Sequence, residues 1–331
     1  MRTEPTIYDV SRLSGVSTAT VSRALSQPES VRESTRQKVL EAAEALRYHP
    51  NAIARAMARQ RTDRVAYLIC KKGATILDEF YAGICDGIMP VINDADQQLL
   101  ISTAADWQRN TGNSQSKQIE GVILGGNASV ELITDLQSRR VAVVLANNRM
   151  TGFDVPCVVA DEHGGVQQVV EHFYEKGHRR IAMLAGRHSP YIISERYNAF
   201  LDTMKALGLE VGADCVRMCE PNVTSATQAA LELLGRPDRP TAIFGSNDVV
   251  AAGAIKAGRR LGLRLPEDLA VAGFDASSIC TLLEPELTSV YIDNRRMGEY
   301  CARHLQALLN GQTDVPRLTV VPTALRPGRS T

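Results

Sequence analysis

Residues 17–23 form the stretch whose side chains are best suited to chemistry. Within it the chain carries several small hydroxyl side chains, followed by Arg23. Hydroxyl groups bond phosphate oxygens, and an arginine binds guanine through two parallel hydrogen bonds. An ordinary amphipathic surface helix would carry glutamate and lysine at these positions. The pattern therefore favours contact with the major groove of DNA, and a generic helical hairpin is the alternative.

Two short helices joined by a tight turn are predicted to present this stretch. Thr6 is a suitable N-cap, and Asp9 follows it at the spacing of a weak capping box. Gly15 is expected to end the first helix, because glycine tolerates the left-handed conformation of a helix C-cap. The second helix starts at Ser17 or Thr18. The apolar residues expected to close one small core are Val10, Leu13, Val16, Val21 and Leu25.

A third helix is predicted over residues 33–46. Its inward face is expected to carry Val39, Ala42, Ala43 and Leu46. Residues 48–50, Tyr-His-Pro, end it, because the residue before a proline disfavours helical backbone.

Residues 6–60 resemble the DNA-binding headpiece of the LacI/GalR family of bacterial transcriptional regulators. The resemblance is carried by Tyr-Asp-Val at 8–10, Gly-Val-Ser at 15–17, Thr-Val-Ser-Arg at 20–23, Tyr48, Pro-Asn at 50–51 and Ala-Arg at 54–55. It implies that Thr18, Ala19 and Arg23 read bases. The residues that it implies contact the DNA backbone are Thr6, Tyr8, Ser17, Thr20, Ser22, Thr35, Asn51 and Arg55.

Residues 51–61 are predicted to form a short hinge helix rich in alanine and arginine. So short a helix is unstable alone in water, so it would form only against a partner. The resemblance implies that this hinge enters the minor groove of DNA and that Met57 is the apolar wedge, where leucine is more usual. An ordinary linker with basic side chains is the alternative.

The charge of the chain is divided unevenly although its net charge is zero. Residues 1–64 contain 11 Lys and Arg against 7 Asp and Glu, and the rest of the chain is correspondingly acidic. A basic N-terminal module on an acidic body suits local DNA binding. The chain shows no signal peptide and no apolar run long enough to span a membrane, and its seven cysteines are scattered. A cytoplasmic protein with reduced thiols is therefore expected.

From residue 64 onward, short apolar runs alternate with helical patterns, which predicts a doubly wound α/β body. Strands are expected at 65–69, 98–101, 121–124, 142–145, 158–159, 180–184, 242–244 and 269–273, and helices at 164–176 and 247–261. Ligands of such sheets bind beyond the carboxyl ends of the strands. The polar residues that follow predicted strands are Asn147, Asn247, Asp248 and Asp275.

The resemblance extends to about residue 325 through Gly-His-Arg-Arg-Ile at 177–181, Ser-Asn-Asp at 246–248, Leu-Pro-Glu-Asp at 265–268, Gly-Phe-Asp at 273–275 and Pro-Glu-Leu-Thr at 285–288. It implies a two-lobed α/β body of periplasmic-binding-protein type. The implied domains are a helix-turn-helix headpiece at 1–50, a hinge helix at 51–61 and an effector-binding and dimerisation body at 62–331. The implied lobes of the body are about 62–158 with 292–318, and about 159–291 with 319–331.

The resemblance places a small polar effector, sugar-like in chemistry, between the two lobes. The effector contacts that it implies are Phe80, Tyr81, Asn147, Arg196, Asn247 and Asp275. Arginine and aspartate bond hydroxyl or carboxylate groups at fixed angles, and an aromatic wall buries a ring face. Structural alternatives stay open: Asp275 could cap a helix, and Arg196 could pair with Glu195 or another carboxylate.

Four positions depart from the pattern of the family. The chain has Asp-Glu at 78–79, where Asn-Pro often precedes the aromatic pair, and Pro221 where an aromatic residue often lines the pocket. Asn147 stands where aspartate is frequent. The effector therefore stays unnamed, as does the direction of its effect.

Two other classes of function compete with a DNA-binding regulator. An enzyme is disfavoured because Gly-Ser-Asn-Asp at 245–248 lacks the second glycine of a nucleophile elbow, and no phosphate-binding glycine loop opens a helix. The six histidines show no metal-ligand spacing, and Cys215 with Cys219 lacks a second ligand pair, so neither metal nor cofactor is expected. A secreted solute-binding protein would need a signal peptide and no headpiece.

The C-terminal residues 319–331 contain two prolines and no heptad repeat, so a homodimer is expected rather than a tetramer. A dimer also matches the paired half-sites of a pseudo-palindromic operator in double-stranded DNA. The sequence thus predicts a repressor, with no membrane partner, that a small molecule controls.

Overall fold

The computed structural model describes residues 5–26, 30–48, 62–71, 78–110, 119–186, 190–212 and 215–331. The chain divides into two compact units, residues 1–63 and 64–331. The smaller unit is helical in its described part, and the larger unit contains the described strands.

Three helices make up the described part of the smaller unit. They are α1 (Ile7–Ser14), α2 (Thr18–Ser26) and α3 (Glu33–Leu46). All three lie where the sequence predicts them, and Gly15 adopts the predicted left-handed conformation with φ of 71°.

The core of this unit contains Val10, Val21, Ala24, Val39, Ala42 and Ala43, with Val16, Leu25 and Leu46 partly buried against it. The prediction that Leu13 joins this core is wrong, since Leu13 is 56% exposed. The buried stripe of the eight-residue α1 is narrow enough that Val10, with Ile7 packed beside it, supplies its inward contact.

A parallel sheet with covering helices forms the first lobe of the larger unit. Its elements are β1 (Arg64–Ile69), α4 (Glu79–Asp94), β2 (Gln98–Thr103), α5 (Ala104–Asn110), β3 (Gly121–Gly125), α6 (Val130–Ser138), β4 (Ala142–Ala146), β5 (Cys157–Ala160), α12 (Asn294–Leu309) and β11 (Leu318–Val321). The strand order is β11-β5-β4-β3-β1-β2. The central strands β1, β3 and β4 are almost continuously apolar and buried, as expected of a sheet covered on both faces.

A second sheet with the same plan forms the second lobe. Its elements are α7 (Glu162–Glu175), β6 (Ile181–Gly186), α8 (Pro190–Ala206), β7 (Val216–Cys219), α9 (Val223–Leu234), β8 (Ala242–Gly245), α10 (Asp248–Arg260), β9 (Ala270–Asp275), α11 (Ile279–Leu282), β10 (Thr288–Ile292) and β12 (Thr323–Arg326). The strand order is β12-β10-β9-β8-β6-β7, and β12 pairs antiparallel to β10.

The chain crosses between the lobes three times. Because β5 and β11 pair with each other in the first sheet, the crossings follow Ala160 and Val321, slightly later than the predicted 158 and 318. The remaining crossing follows Ile292 at the end of β10. In each sheet the order reverses beside one strand, β1 in the first lobe and β6 in the second. Such reversals open a crevice at the carboxyl ends of the strands, where ligands bind.

Four strands are absent from the sequence prediction, namely β7, β10, β11 and β12. Strand β7 is a short edge strand, and β11 and β12 lie at sheet edges with mostly half-buried or exposed positions. The two C-terminal strands also pair with strands far away in sequence. Their short, half-exposed runs give little periodic signal.

Candidate functional site

The start of α1 is fixed by a reciprocal contact between Thr6 and Asp9. The Thr6 backbone N–H donates to Asp9 Oδ2 at 2.9 Å, and the Thr6 hydroxyl donates to the same oxygen at 2.7 Å. These hydrogen bonds hold the pKa of Asp9 below its ordinary value, and Arg12 acts in the same direction. The predicted N-terminus of the helix is therefore confirmed, and Tyr8 projects from its first turn as an exposed side chain.

The turn into α2 is built from serine hydroxyls. Ser11 Oγ donates to the carbonyl oxygen of Val16 at 2.6 Å, across the turn that Gly15 makes. Ser17 Oγ accepts the backbone N–H of Thr20 at 3.2 Å and lies 2.9 Å from its hydroxyl. These bonds satisfy backbone groups that a helix start otherwise leaves unpaired, so α2 begins at a defined residue.

Helix α2 separates a buried face from an exposed one. Val21 and Ala24 are buried in the small core, whereas Ala19 and Arg23 are exposed. Residues four apart on a helix are neighbours, and the Arg23 Nε–H indeed donates to the Ala19 carbonyl oxygen at 3.4 Å. Thr18 is half-buried at the first turn. The three residues predicted to read bases therefore lie on one short helix of the headpiece.

The remaining residues predicted to contact DNA fall into two groups. Thr6 and Ser17 are exposed at helix starts, and Thr20, Ser22 and Thr35 are half-buried. Asn51, Arg55 and Met57, together with the hinge at 51–61, lie outside the described residues.

A cleft of about 750 Å³ opens between the two lobes of the larger unit. Its walls come largely from loops at the carboxyl ends of strands in both sheets. All six residues predicted to contact an effector line it, namely Phe80, Tyr81, Asn147, Arg196, Asn247 and Asp275. Pro221, the position that departs from the family pattern, lines it as well.

Arg196 from α8 is the buried cation of the cleft. Its side chain is 3% exposed, and its guanidinium lies over the Phe274 ring at 3.7 Å. Its Nε–H donates to Glu162 Oε2 at 2.6 Å, one Nη donates to the Ser246 carbonyl oxygen, and the other lies 3.5 Å from Asp275 Oδ1. Burial acts to lower the pKa of Arg196, but the two carboxylates outweigh it and raise the pKa. The guanidinium is thus held charged and in one orientation.

Glu162 is the residue of this cluster that the sequence prediction missed. It begins α7, its side chain is 1% exposed, and it makes the shorter of the two ion pairs with Arg196. In the sequence it stands beside Asp161 and His163 and looks like an ordinary acidic residue of a first helical turn. Only the fold brings it against a residue 34 positions away. The predicted alternative that Arg196 pairs with a carboxylate is therefore correct for Glu162, although Arg196 lines the cleft as well.

Asp275 ends β9 in a strained backbone conformation with φ of 101°. Burial raises its pKa above the ordinary value, Arg196 opposes this shift, and Asp248 and Glu162 add to it. Its side chain remains 22% exposed and faces the cleft. Asp275 is thus the accessible carboxylate of the cluster, with charge that a ligand can contact.

Asp248 holds the loop that follows Asp275. It accepts hydrogen bonds from the Ser277 backbone N–H at 2.7 Å, the Ser277 hydroxyl at 2.8 Å and the Ser289 hydroxyl. Burial raises the pKa of Asp248, and the bonds from Ser289 and Ser277 counteract that shift. This network fixes the loop between β9 and α11 against the start of α10.

An aromatic pair forms the wall of the cleft on the first lobe. The rings of Phe80 and Tyr81 meet edge to face, with centroids 5.3 Å apart. Gly126 lies so close to the Tyr81 hydroxyl, with φ of 85°, that only glycine fits there. Lys71 is bound to Asp78 at 2.7 Å and also lies 5.8 Å from the Tyr81 ring centroid. This wall therefore presents aromatic rings to the cleft beside the ion pair of Lys71 and Asp78.

Two asparagines of the cleft have different surroundings. Asn147 follows β4 with φ of 53°, is 4% exposed, and its Oδ1 has no hydrogen-bond partner among the described residues. Buried amides are nearly always bonded, so this oxygen is placed to accept a bond from a ligand. Asn247 Oδ1 accepts the Val250 backbone N–H at 3.0 Å and caps α10. Its structural role is therefore observed directly.

The two lobes are also joined directly at the mouth of the cleft. Glu79, in the first turn of α4, accepts hydrogen bonds from Ser278, just before α11 in the second lobe. The Ser278 hydroxyl donates at 2.7 Å and its backbone N–H lies 3.0 Å and 3.1 Å from the two carboxylate oxygens. Asp78 and Glu79 replace the Asn-Pro pair of the family pattern. This departure thus supplies a polar contact between the lobes.

Neither a metal centre nor a reactive thiol emerges from the described residues. No group of three His, Cys, Asp or Glu side chains among them could hold a metal ion. All seven cysteines lie in described segments and form no disulfide with one another. His178, which follows α7, bonds the Thr241 hydroxyl at 3.0 Å and packs edge to face on Phe173. Within the described residues, no helix has the length and apolarity to cross a membrane.

Comparison with known proteins gives consistent matches to both units. Residues 6–51 match the bacterial regulatory proteins of the lacI family, and residues 170–331 match the periplasmic binding protein-like domain. Catabolite control protein A of Priestia megaterium is 31% identical over 98% of this chain and 99% of its own length. The HTH-type transcriptional regulator CelR of Thermobifida fusca is 30% identical over 98% of this chain and 97% of its own length.

Solved structures agree over nearly the whole chain. A CelR–cellobiose complex superposes with a TM-score of 0.75 at 30% identity, covering 99% of this chain and 100% of that one. The lac repressor dimer bound to operator and an anti-inducer has a TM-score of 0.83 at 24% identity, covering 99% of each chain, and shows the shared fold. The chain therefore belongs to the LacI family of bacterial regulatory proteins and is a DNA-binding transcriptional regulator.

Proposed function

We propose that the protein is a cytoplasmic, homodimeric repressor that binds a pseudo-palindromic operator and is controlled by a small polar, sugar-like molecule. The proposed domains are the headpiece at 1–50, the hinge at 51–61 and the body at 62–331. It has no enzymatic role in this proposal, since its relatives are regulators. Similar proteins include a transcriptional repressor, a repressor bound to its operator and a regulator bound to cellobiose, which supports the same scheme.

The headpiece carries the operator-binding part of the proposal. Thr18, Ala19 and Arg23 read bases in the major groove, and the hydroxyl side chains around them bond the DNA backbone. One headpiece contributes one half-site, so a two-fold dimer matches the symmetry of the operator. Met57 of each hinge wedges into the central base step, where an apolar side chain unstacks the bases.

The cleft carries the effector-binding part. The single observation that supports it best is that six residues from distant segments, predicted from the sequence, line one cleft between the two sheets. Arg196 and Asp275 bond the polar groups of the effector, Asn147 adds an acceptor, and Phe80 with Tyr81 covers an apolar face. An effector that binds the closed arrangement of the lobes better than an open one shifts the DNA-binding equilibrium by that difference in affinity.

The test starts with the full-length protein and random duplex DNA. Selection for bound sequences is expected to yield a two-fold repeated site whose occupancy requires a dimer, measured by sedimentation and by fluorescence anisotropy. A thermal-shift screen of sugars, sugar acids and nucleosides on the same protein is then expected to give a saturable hit that alters operator affinity. Enrichment of no sequence at all, or binding as a monomer to an asymmetric site, would contradict the proposal.

A further inference from the structure

Two carboxylates flank the single guanidinium of Arg196, and this arrangement affects which ligands the cleft can bind. Glu162 binds it at 2.6 Å and Asp275 at 3.5 Å, while the aromatic face of Phe274 covers the guanidinium plane. The cluster therefore places two carboxyl groups against one guanidinium. An arginine that is already neutralised from within the protein offers a fixed set of N–H donors and no surplus positive charge.

Glu162 is the carboxylate that performs this neutralisation. It makes the shorter ion pair, it is almost completely buried, and it begins α7, where the positive end of the helix dipole favours a negative side chain. Its second oxygen, Oε1, has no hydrogen-bond partner among the described residues. Burying a carboxylate with an unsatisfied oxygen costs free energy, and the ion pair with Arg196 offsets that cost.

The rest of the cleft offers little compensation for a negatively charged ligand. Among the described residues that line it, the cationic side chains are Lys71, Arg196 and Arg295. Lys71 is already paired with Asp78, and Arg295 is exposed at the wall. The acidic side chains of the described lining are Asp78, Glu79, Glu220, Asp248, Asp275 and Asp293. A carboxylate or phosphate placed at Arg196 would therefore meet more negative than positive charge.

We propose that Glu162 determines the specificity of the cleft through Arg196, so that the site takes an uncharged polyhydroxylated ligand and rejects sugar acids and sugar phosphates. This inference rests on the proposed function, in which the cleft is the effector site. Arg196 donates to neutral hydroxyl oxygens, and Asp275 accepts from hydroxyl groups. Glu162 contacts no ligand in this scheme, and it acts by setting the charge and orientation of Arg196.

Inorganic phosphate is the probe that tests the proposal, because it needs no knowledge of the effector. Binding to the full-length protein is measured by calorimetry and thermal shift at constant ionic strength. Wild type is expected to show no saturable binding that depends on Arg196. Glu162→Gln frees the guanidinium and is expected to gain saturable phosphate binding, at least about tenfold tighter than any binding by wild type, as one added charge-assisted hydrogen bond implies. The added substitution Arg196→Gln should abolish this gain.

The matched control is Glu171→Gln, on the same helix. Glu171 is half-buried and accepts a hydrogen bond from Gln167 at 2.7 Å. The Glu171→Gln substitution removes the same charge from α7 at a distance from Arg196 and should leave phosphate binding unchanged. Arg196-dependent binding of phosphate by wild type, or a folded Glu162→Gln variant that gains none, would overturn the proposal.

Asp275→Asn keeps the test decisive if Glu162→Gln does not fold. Glu162 still neutralises Arg196 in this variant, so phosphate should again fail to bind. A gain of phosphate binding would assign the neutralisation to Asp275 and overturn the role of Glu162.

The operator assay tests the proposed function independently of phosphate binding. An absence of specific DNA binding by the wild-type protein would contradict the proposed function alone. Release or recruitment of DNA by a phosphorylated sugar, dependent on Arg196, would contradict only the ligand class proposed here.

Discussion

Arg23 is the exposed long donor side chain at the end of the hydroxyl-rich face of α2. Its only described side-chain bond is the long one to the Ala19 carbonyl oxygen, so its guanidinium is available to a base. Arg23→Ala is expected to cost about 1–3 kcal/mol of operator binding and to relax specificity at the base pair that it reads. Fluorescence anisotropy with operator variants measures both effects.

Arg303→Ala is the matched control for that substitution. Arg303 lies on α12 of the body and pairs with Glu299 at 2.7 Å on the same helix. It should leave operator affinity and sequence preference unchanged. If Arg23→Ala bound the operator as well as wild type does, Arg23 would not read bases.

Asp9 gives the start of α1 a dependence on pH. Its pKa is lowered in the folded chain by hydrogen bonds from Thr6, so its stabilising contribution is present above its unfolded pKa. That contribution is lost as the pH falls through the lowered folded value. Asp9→Asn should therefore raise the hydrogen-exchange rates of α1 amides at neutral pH, and the difference from wild type should shrink below about pH 4. A difference that persists unchanged in acid would contradict the carboxylate cap.

Contacts between residues close in sequence were predictable, whereas contacts between residues that only the fold brings together were not. The cap at Thr6 and the turn at Gly15 depend on contacts within a few positions, so the local pattern specifies them. Glu162 binds Arg196 across 34 positions and has no distinguishing neighbour in the sequence. The prediction that Leu13 is buried was wrong for a related reason, because helical spacing does not define the width of the buried stripe on a short helix.

Helices α4 and α12 pack so closely that glycine is required on both. A Cβ on Gly87 would collide with the Arg295 carbonyl oxygen, and one on Gly298 with the Ile84 carbonyl oxygen. Gly87→Ala forces the backbones apart and is expected to destabilise the protein by about 1–3 kcal/mol, measured by urea unfolding. Gly212→Ala is the control, since its added methyl group meets open space. Equal stabilities of the two variants would show that the helix pair adapts without cost.

The contact between Glu79 and Ser278 couples elements of opposite lobes. Glu79→Gln keeps the shape of the side chain and removes its charge, which weakens three hydrogen bonds at an exposed site. A loss of about 1 kcal/mol would shift the balance of closed and open lobes roughly fivefold towards open. Spin-label distances across the cleft, without effector, measure this shift. Glu171→Gln is again the control, and unchanged distances in Glu79→Gln would mean that the contact does not hold the lobes.

The α/β architecture of the body was predictable because its central strands are buried on both faces and read as continuous apolar runs, and the family resemblance implied its division into two lobes. Three of the four edge strands, β7, β11 and β12, escaped prediction, and with them the antiparallel pairing of β12 to β10. The cleft itself could be predicted from this architecture, since both sheets reverse their strand order and ligands bind at such reversals, beyond the carboxyl ends of the strands. Its charge does not follow, because it depends on which side chains the loops bring together.

In the proposed regulator, a mutation in the cleft can impair effector binding without impairing operator binding by the headpiece. Asp275→Asn is the suitable change, because it is nearly isosteric and leaves Arg196 paired with Glu162. Operator affinity without effector should stay as in wild type, since Asp275 lies in the larger unit and the base-reading residues in the smaller. The response to a sugar that shifts operator affinity in wild type should weaken about tenfold or more, as loss of a charged hydrogen-bond acceptor implies. Asp238→Asn, at an exposed ion pair with Arg236, is the control and should respond normally. If Asp275→Asn instead abolished operator binding while the protein stayed folded, Asp275 would belong to the coupling machinery rather than to the effector contacts.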